Sequence, residues 1–186
     1  MRSTTAPRFV WYQALAAIML AAPSFASTLQ AQSAQPVSIQ ASGALVFPSK
    51  SQAPFESDTR FGFDVQARYT FSRWSVGIGY QRSTVFRSSA IDVRAALSLF
   101  FVEPRLVVTA NRNVGLYLAG RAGIGKLVCT PDRCSESSYA TFGGGGGVLV
   151  RLSKAVAMDI GTQFFTVTDD ANTGYFLARL GLGLGL

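Results

Sequence analysis

The chain has 186 residues, of which 48% are hydrophobic, with a formal charge of +7 and no histidine. This length suits a single domain, and the Lys and Arg residues are scattered singly, which argues against nucleic-acid binding. Beyond the N-terminus, no stretch approaches the roughly 20 apolar residues that a membrane-spanning helix needs.

The N-terminus has the pattern of a secretory signal peptide. Two arginines precede an apolar core over residues 14–22. The small residues Ser24 and Ala26 then occupy positions −3 and −1 of a cleavage site after Ala26. We therefore expect cleavage after Ala26, with Ala31 and Ala34 as later alternatives. The predicted divisions of the chain are a signal peptide at 1–26, a short polar lead-in at 27–35 and the folded domain at 36–186.

Eight segments alternate apolar and polar side chains with the period of two that is typical of β-strands. In the second segment, Phe61 and Phe63 lie on one face while Asp64 and Arg68 lie on the other. From Ala178 onward, the last segment carries Leu at every second position, with Arg or Gly between the apolar residues. The predicted strands are 37–47, 61–72, 74–81, 88–109, 114–128, 139–152, 156–168 and 174–186.

The connections between these segments alternate in length. Short turns are predicted at 72–73, 110–113 and 153–155, and the longer polar connections at 48–60, 82–90, 127–138 and 168–173. Bacterial outer-membrane barrels have short periplasmic turns and longer external loops, with both termini periplasmic. The pattern therefore predicts an all-β fold, an eight-stranded antiparallel up-and-down transmembrane β-barrel.

The chain resembles the family of small outer-membrane β-barrels of the OmpA or OmpX type over nearly all of its mature length. The resemblance rests on Val-Glu-Pro-Arg-Leu at 102–106, Tyr-Leu-Ala-Gly-Arg-Ala-Gly at 117–123, a Gly-rich sixth strand and the alternating final strand. Leu186 departs from the terminal aromatic residue usual in that family. The resemblance implies location in the cell outer membrane, insertion by the barrel-assembly machinery, a monomeric state and no cofactor.

A soluble ligand-binding barrel of the lipocalin kind is the main alternative fold, because alternation alone suits either solvent. The less bulky face of the strands is rich in glycine, which suits the inside of a narrow barrel better than an aqueous exterior. If Phe71 pairs with Trp74 across the first short turn, Arg68 faces Gly77. Large interior side chains would then fill the space that glycines leave.

The interior face carries charges of both signs, which predicts a paired plug that fills the lumen. An eight-stranded barrel is just wide enough to be filled by side chains, so an open pore is disfavoured. The predicted lumen charge network comprises Asp64, Arg68, Asp92, Arg94, Glu103, Arg121, Arg151, Asp159 and Arg179.

One pair within this network follows from the register of the second short turn. If Leu106 meets Leu118 and Val108 meets Leu116 on the outer face, Glu103 faces Arg121 in the lumen. Asp92 and Arg94 also point inward, but on even positions, so the strand has to change phase. We predict a bulge over 100–102, next to Pro104, which cannot donate a ladder hydrogen bond.

Two further groups of residues are predicted near the external loops. Cys129 and Cys134 enclose a four-residue turn, and an exported protein meets an oxidising compartment in which they would form a disulfide. Basic residues there would either contact lipopolysaccharide phosphates or remain simply solvated. These residues are Lys50, Arg60, Arg82, Arg87 and Arg133.

Three apparent cofactor-binding or metal-binding motifs are each better explained as strand or loop. Residues 120–126 match a phosphate-binding loop as far as the lysine, but Leu127 replaces the Ser or Thr that would hold magnesium. The glycine run at 143–147 lies within a strand pattern, and the carboxylates at 169–170 lack further calcium ligands. Without a histidine base, no catalytic cluster or metal site suggests itself.

The sequence predicts a structural or surface-interaction protein that is not an enzyme, or alternatively a narrow transport barrel for small anionic or hydrophobic solutes.

Overall fold

The computed structural model describes residues 35–48, 59–88, 93–111, 113–130, 138–168 and 174–186. The predicted signal peptide and nearly all of the lead-in lie outside these residues. No helix among the described residues is long and apolar enough to cross a membrane. The strands are β1 (Val37–Pro48), β2 (Arg60–Phe71), β3 (Trp74–Ser88), β4 (Val93–Ala110), β5 (Val114–Thr130), β6 (Ser138–Arg151), β7 (Val156–Val167) and β8 (Gly174–Gly185).

The eight strands form one closed antiparallel barrel in sequence order. Each strand pairs with the next, and β1 closes the barrel against β8, with Ala41 opposite Leu182. Both termini of the barrel lie at the end that carries the short turns, which we call the short-turn end. The opposite end is the long-loop end. The predicted all-β up-and-down barrel is confirmed.

Apolar side chains cover the outside of the barrel and polar side chains are buried inside it. Phe61 is 79% exposed and Ile124 is 69% exposed, whereas Asp64 and Glu103 are fully buried. A water-soluble barrel would show the reverse arrangement, so the surface is the one that a lipid environment solvates. This distribution excludes the lipocalin-like alternative.

Local side-chain hydrogen bonds organise the short turns. The Asn111 side-chain oxygen accepts hydrogen bonds from the backbone N–H groups of Asn113 and Val114, at 3.0 and 2.8 Å. The Ser153 hydroxyl accepts the N–H of Val156 in the same way, at 3.0 Å. In the first turn, Ser72 adopts a left-handed backbone with φ of 57°, which tight hairpins need. All three short turns lie where the sequence predicts them.

The predicted register of the first hairpin is confirmed. Phe71 pairs with Trp74, and Arg68 consequently faces Gly77. A Cβ atom at Gly77 would lie 2.8 Å from a guanidinium nitrogen of Arg68, so the glycine provides the room that this side chain occupies. The interior is thus filled by large side chains placed against glycines.

The predicted change of phase in β4 is wrong. Odd-numbered residues point inward from Leu97 through Val107, and Leu97 and Leu99 are buried in the lumen instead of facing lipid. The register to β5 runs unbroken through 99–102. The register shifts of the described pairs lie elsewhere, between Thr84 and Phe86 and between Val107 and Thr109.

Pro104 is accommodated without any slip of the strand. Val102 pairs with Ala122 on one side of it, and Arg105 pairs with Ala119 on the other, in the same register. Proline lacks the backbone N–H group, so position 104 cannot donate a ladder hydrogen bond, yet the register on either side is kept.

At the second turn, the predicted pair of Leu106 and Leu118 is confirmed. The predicted pair of Val108 and Leu116 is wrong, because the bulge places Thr109 opposite Leu116.

Two strands extend further toward the long-loop end than the sequence suggests. β3 continues to Ser88 and β5 continues to Thr130, so parts of the predicted loops 82–90 and 127–138 are strand. Arg82 and Arg87 therefore lie within β3 and not in a loop. Polar residues at the ends of barrel strands, beyond the lipid, resemble loop residues in composition.

Candidate functional site

A buried cluster of charged side chains fills the middle of the barrel, and Glu103 on β4 is its centre. The Glu103 carboxylate is fully buried, and four arginines on four different strands lie within ion-pair distance of it. The nitrogen-to-oxygen distances are 2.5 Å from Arg121, 2.7 Å from Arg105, 2.8 Å from Arg68 and 2.9 Å from Arg179. The Gln163 amide donates a further hydrogen bond, at 3.1 Å.

Asp159 on β7 is the second centre of the cluster, closer to the short-turn end. Arg105 donates to one of its carboxylate oxygens at 2.7 Å, and Gln40 donates to the same oxygen at 2.5 Å. The Tyr117 hydroxyl donates to the other oxygen at 2.6 Å. Arg179 lies 3.4 Å from Asp159 and so links the two centres.

Asp64 on β2 is the third carboxylate, on the long-loop side of Glu103. It is fully buried and lies 3.6 Å from Arg121 and 4.0 Å from Arg179. Arg121 also donates to the Gln81 side chain at 2.7 Å and lies 3.8 Å from the centre of the Phe101 ring. The central cluster therefore contains four guanidinium groups and three carboxylates, with one positive charge in excess.

Glycines on neighbouring strands shape the space for these side chains. A Cβ atom at Gly147 would lie 2.6 Å from the Tyr117 hydroxyl, and one at Gly161 would meet the same hydroxyl. Tyr117 therefore reaches across β6 and β7 to Asp159 because two glycines leave its path open. The glycine-rich sixth strand is part of the site and is not a cofactor loop.

An apolar cluster closes the lumen on the long-loop side of the charges. Phe165 and Tyr175 stack there with ring centres 5.1 Å apart and planes 21° apart. We call this cluster the apolar plug, and its buried members are Ala44, Val46, Leu97, Phe165, Tyr175 and Leu177. Leu97 is the member that the sequence places wrongly, on the lipid side.

At the short-turn end, the lumen narrows to a small cavity. Its volume is about 40 Å³, and its lining includes Gln40, Arg68, Arg105 and Asp159. A cavity of that size holds about one or two water molecules and no larger solute. The charged cluster therefore occupies the lumen between this cavity and the long-loop end of the cluster.

Most of the predicted network is brought together in this cluster. The structure unites Asp64, Arg68, Glu103, Arg121, Asp159 and Arg179, and it places Glu103 in contact with Arg121 as the sequence predicts. Arg151 lies half-buried near the short-turn end. Asp92 and the side chain of Arg94 lie outside the described residues.

Sequence reasoning missed Arg105, a main partner of both Glu103 and Asp159. The signal was available in the spacing, because residues 103 and 105 share one face of a strand. Tyr117 shares the face of β5 that carries Arg121, because the two residues are four apart, but its role as a donor to Asp159 depends on the positions of the glycines.

The predicted loop cations are spread over different environments. Arg82 is exposed on the outside of β3, and Arg60 is half-buried at the long-loop end of β2. Lys50, Arg133 and the side chain of Arg87 lie outside the described residues. The predicted disulfide also stays a prediction, because Cys134 and the side chain of Cys129 lie outside them too.

The described part of the chain contains no group of three metal-ligating side chains. Arginines instead donate to the buried carboxylates of Glu103 and Asp159, and two arginines lie within 4.0 Å of Asp64. Such an arrangement cross-links five strands and blocks the lumen.

Comparison with solved structures finds the same fold in small outer-membrane barrels. Neisserial surface protein A (NspA) matches with a TM-score of 0.69 at 17% identity, over 81% of this chain and 97% of that one. Ail, the attachment invasion locus protein of Yersinia pestis, matches with a TM-score of 0.54 at 18% identity, over 80% of this chain and 95% of that one. No family model and no curated protein matches the chain. At these identities, the likeness concerns the fold.

Proposed function

We propose that the protein is a bacterial outer-membrane barrel with a structural or surface-interaction role and no catalytic activity. The observation that carries this proposal is a closed barrel with an apolar exterior and a lumen filled by the charged cluster and the apolar plug. In a protein of that form, the outer surface and the loops are available for contacts with lipid and other molecules, while the filled interior stabilises the fold.

The orientation follows from the general architecture of such barrels. Short turns and both termini lie on the periplasmic side, so the long loops face outward. The chain reaches this state through export and insertion by the barrel-assembly machinery. Its partners are then outer-membrane lipid and lipopolysaccharide, and the closed barrel requires no second subunit to complete it.

A narrow transport barrel is the alternative that an experiment has to separate. Passage of a solute would require displacement of Glu103 and its arginines as well as Phe165 and Tyr175. Opening a buried ion pair costs free energy, because each charge then loses the partner that had offset its removal from water. The filled lumen therefore favours the structural role.

Conductance of the purified barrel in planar lipid bilayers tests this proposal. We expect no stable conductance steps from the natural protein, because no described path through the lumen admits a hydrated ion. Replacement of the plug residue Phe165 by Ala, together with Glu103→Ala and Arg105→Ala, should introduce steps. The matched control is Phe164→Ala, which removes a neighbouring ring from the lipid side. Regular steps from the natural protein would instead establish the transport alternative.

A further inference from the structure

A groove runs across the outside of the barrel where β2 to β5 lie side by side. Its volume is about 540 Å³, and it is almost wholly apolar. Ala67 and Ala122 face outward with small side chains, whereas Ile78, Phe100 and Ile124 form higher walls around them. The outer face thus has an apolar depression between these walls, with Ala67 and Ala122 at its floor.

A line of aromatic rings crosses the long-loop end of this groove. The ring centres of Phe63 and Tyr80 are 6.5 Å apart, and those of Tyr80 and Phe100 are 5.1 Å apart. Aromatic girdles mark the level at which hydrocarbon gives way to headgroups in membrane barrels. The Tyr80 hydroxyl donates a hydrogen bond to Ser98 at 3.1 Å, toward the polar side of that level.

A row of polar residues lies beyond Tyr80 and Phe100, at the level of Phe63, which pairs with Arg82. Arg82 pairs with Ser98, and Ser98 pairs with Lys126, so the three residues sit side by side on β3, β4 and β5. The row is two residues beyond Tyr80 and Phe100, which is about 7 Å along the strands. We call these three residues the basic row.

The two cations of the basic row face outward and remain exposed. Their Cα atoms are two strands apart, about 10 Å, so both long side chains can reach the same or adjacent anionic groups. In the described part of the chain, all three carboxylates lie in the lumen. The cations of the row are therefore uncompensated by any described acidic side chain.

We propose that the basic row and the groove together bind lipopolysaccharide in the outer leaflet. Arg82 and Lys126 would contact its phosphates, Ser98 would donate its hydroxyl to them, and acyl chains would lie in the groove against Ala67 and Ala122. Charge-assisted hydrogen bonds to phosphate are among the stronger polar contacts of proteins. The proposal rests on the outward orientation of the long-loop end given above.

The choice of lipopolysaccharide over a glycerophospholipid follows from the layout of the site. Two long cationic side chains whose Cα atoms lie about 10 Å apart can each contact a different phosphate of one lipid, whereas the headgroup of a phospholipid such as phosphatidylglycerol offers one phosphate. The site also lies at the end of the barrel that is turned away from the periplasm under the proposed orientation.

The test is binding of defined lipids to the folded barrel in detergent, measured by native mass spectrometry and by the shift in Tm. The lipids are bisphosphorylated lipid A, the same lipid without its phosphates, and phosphatidylglycerol. We expect the bisphosphorylated lipid to bind most tightly and to raise the Tm most.

The variant Arg82→Gln with Lys126→Gln should weaken its binding about tenfold, the change that a loss of 1.4 kcal/mol produces. The groove-filling variant Ala122→Phe should weaken binding of both forms of lipid A. Lys154→Gln removes an exposed cation at the short-turn end and should leave binding unchanged.

Equal binding of the phosphorylated and dephosphorylated lipids to the natural protein would overturn the proposal, even if a variant failed to fold. So would equal binding by the basic-row variant, or tighter binding of phosphatidylglycerol. A natural protein that forms a membrane barrel but retains no lipid A would refute this site alone. Failure to form a membrane barrel would refute the proposed function as well.

Discussion

At the scale of single residues, Glu103 is the most connected charge of the cluster, because its one buried carboxylate contacts four guanidinium groups. Taking charges out of water is costly, and pairing offsets that cost only while each charge retains its partners. Removal of one member is therefore expected to destabilise the barrel more than removal of a pair. The cluster has one positive charge in excess, so loss of an acid should cost more than loss of a base.

Glu103→Gln should destabilise the barrel by about 3–5 kcal/mol, since it leaves four arginines facing two carboxylates. Arg121→Gln should cost less, because it leaves three charges of each sign. The double variant should be milder than the sum of the single changes, because it restores the original excess of one positive charge. Urea unfolding in lipid vesicles measures all three free energies.

The control for this cycle is Lys154→Gln, whose exposed side chain should contribute almost nothing. Simple additivity of the two lumen changes would contradict the coupling of Glu103 and Arg121.

The contact between Glu103 and Arg121 follows from the predicted pair of Leu106 and Leu118, which the structure retains although the bulge shifts the pairs nearer the turn. The bulge inferred beside it was wrong for a physical reason. Between residues 99 and 102, both faces of β4 are apolar, since Leu99 and Phe101 fill the lumen while Phe100 and Val102 face outward. An alternation rule has no polar face there from which to set the phase.

At the scale of elements, the glycines of the sixth strand leave room on its inner face for the backbone and side chains of β7. Gly143, Gly145 and Gly147 lie on its inward phase and abut the backbone and side chains of β7. A Cβ atom at Gly145 would lie 2.7 Å from the Cα atom of Gln163, a distance that such atoms do not adopt without movement. These three inward positions are therefore intolerant of even the smallest side chain.

Gly145→Ala should destabilise the barrel by about 1–3 kcal/mol through overpacking against Gln163. Gly43→Ala on β1 is the matched control, because a Cβ atom there would meet no other atom within 4 Å. The urea midpoint for unfolding in vesicles should fall for the first variant alone. Equal effects of the two substitutions would show that space at Gly145 does not limit stability.

Strand identity and order were accessible from the sequence, whereas strand ends were not. β3 and β5 extend past their apolar segments because a closed barrel continues its hydrogen-bond ladder beyond the lipid. Arg82 belongs to the extension of β3, whereas Lys126 lies within the strand 114–128 that the sequence predicts. Their juxtaposition became visible only through the register of three adjacent strands.

At the scale of the whole molecule, the exterior determines which solvent the barrel requires. Apolar residues face outward on every strand, and the described carboxylates are confined to the lumen. The sequence predicted this arrangement, apolar outside and polar inside, because the less bulky face of the strands is rich in glycine. It did not predict the apolar plug, because large apolar residues in the lumen look the same in sequence as those facing lipid.

Cell fractionation of the producing bacterium, with gel analysis of unboiled and boiled samples, tests the central claim most directly. We predict recovery in the outer-membrane fraction and resistance to extraction by urea. The unboiled protein should also migrate differently from the boiled protein, because the closed barrel with its ion-pair cluster survives detergent at room temperature. Recovery as a soluble periplasmic protein, with identical migration before and after boiling, would contradict the claim that this barrel resides in lipid.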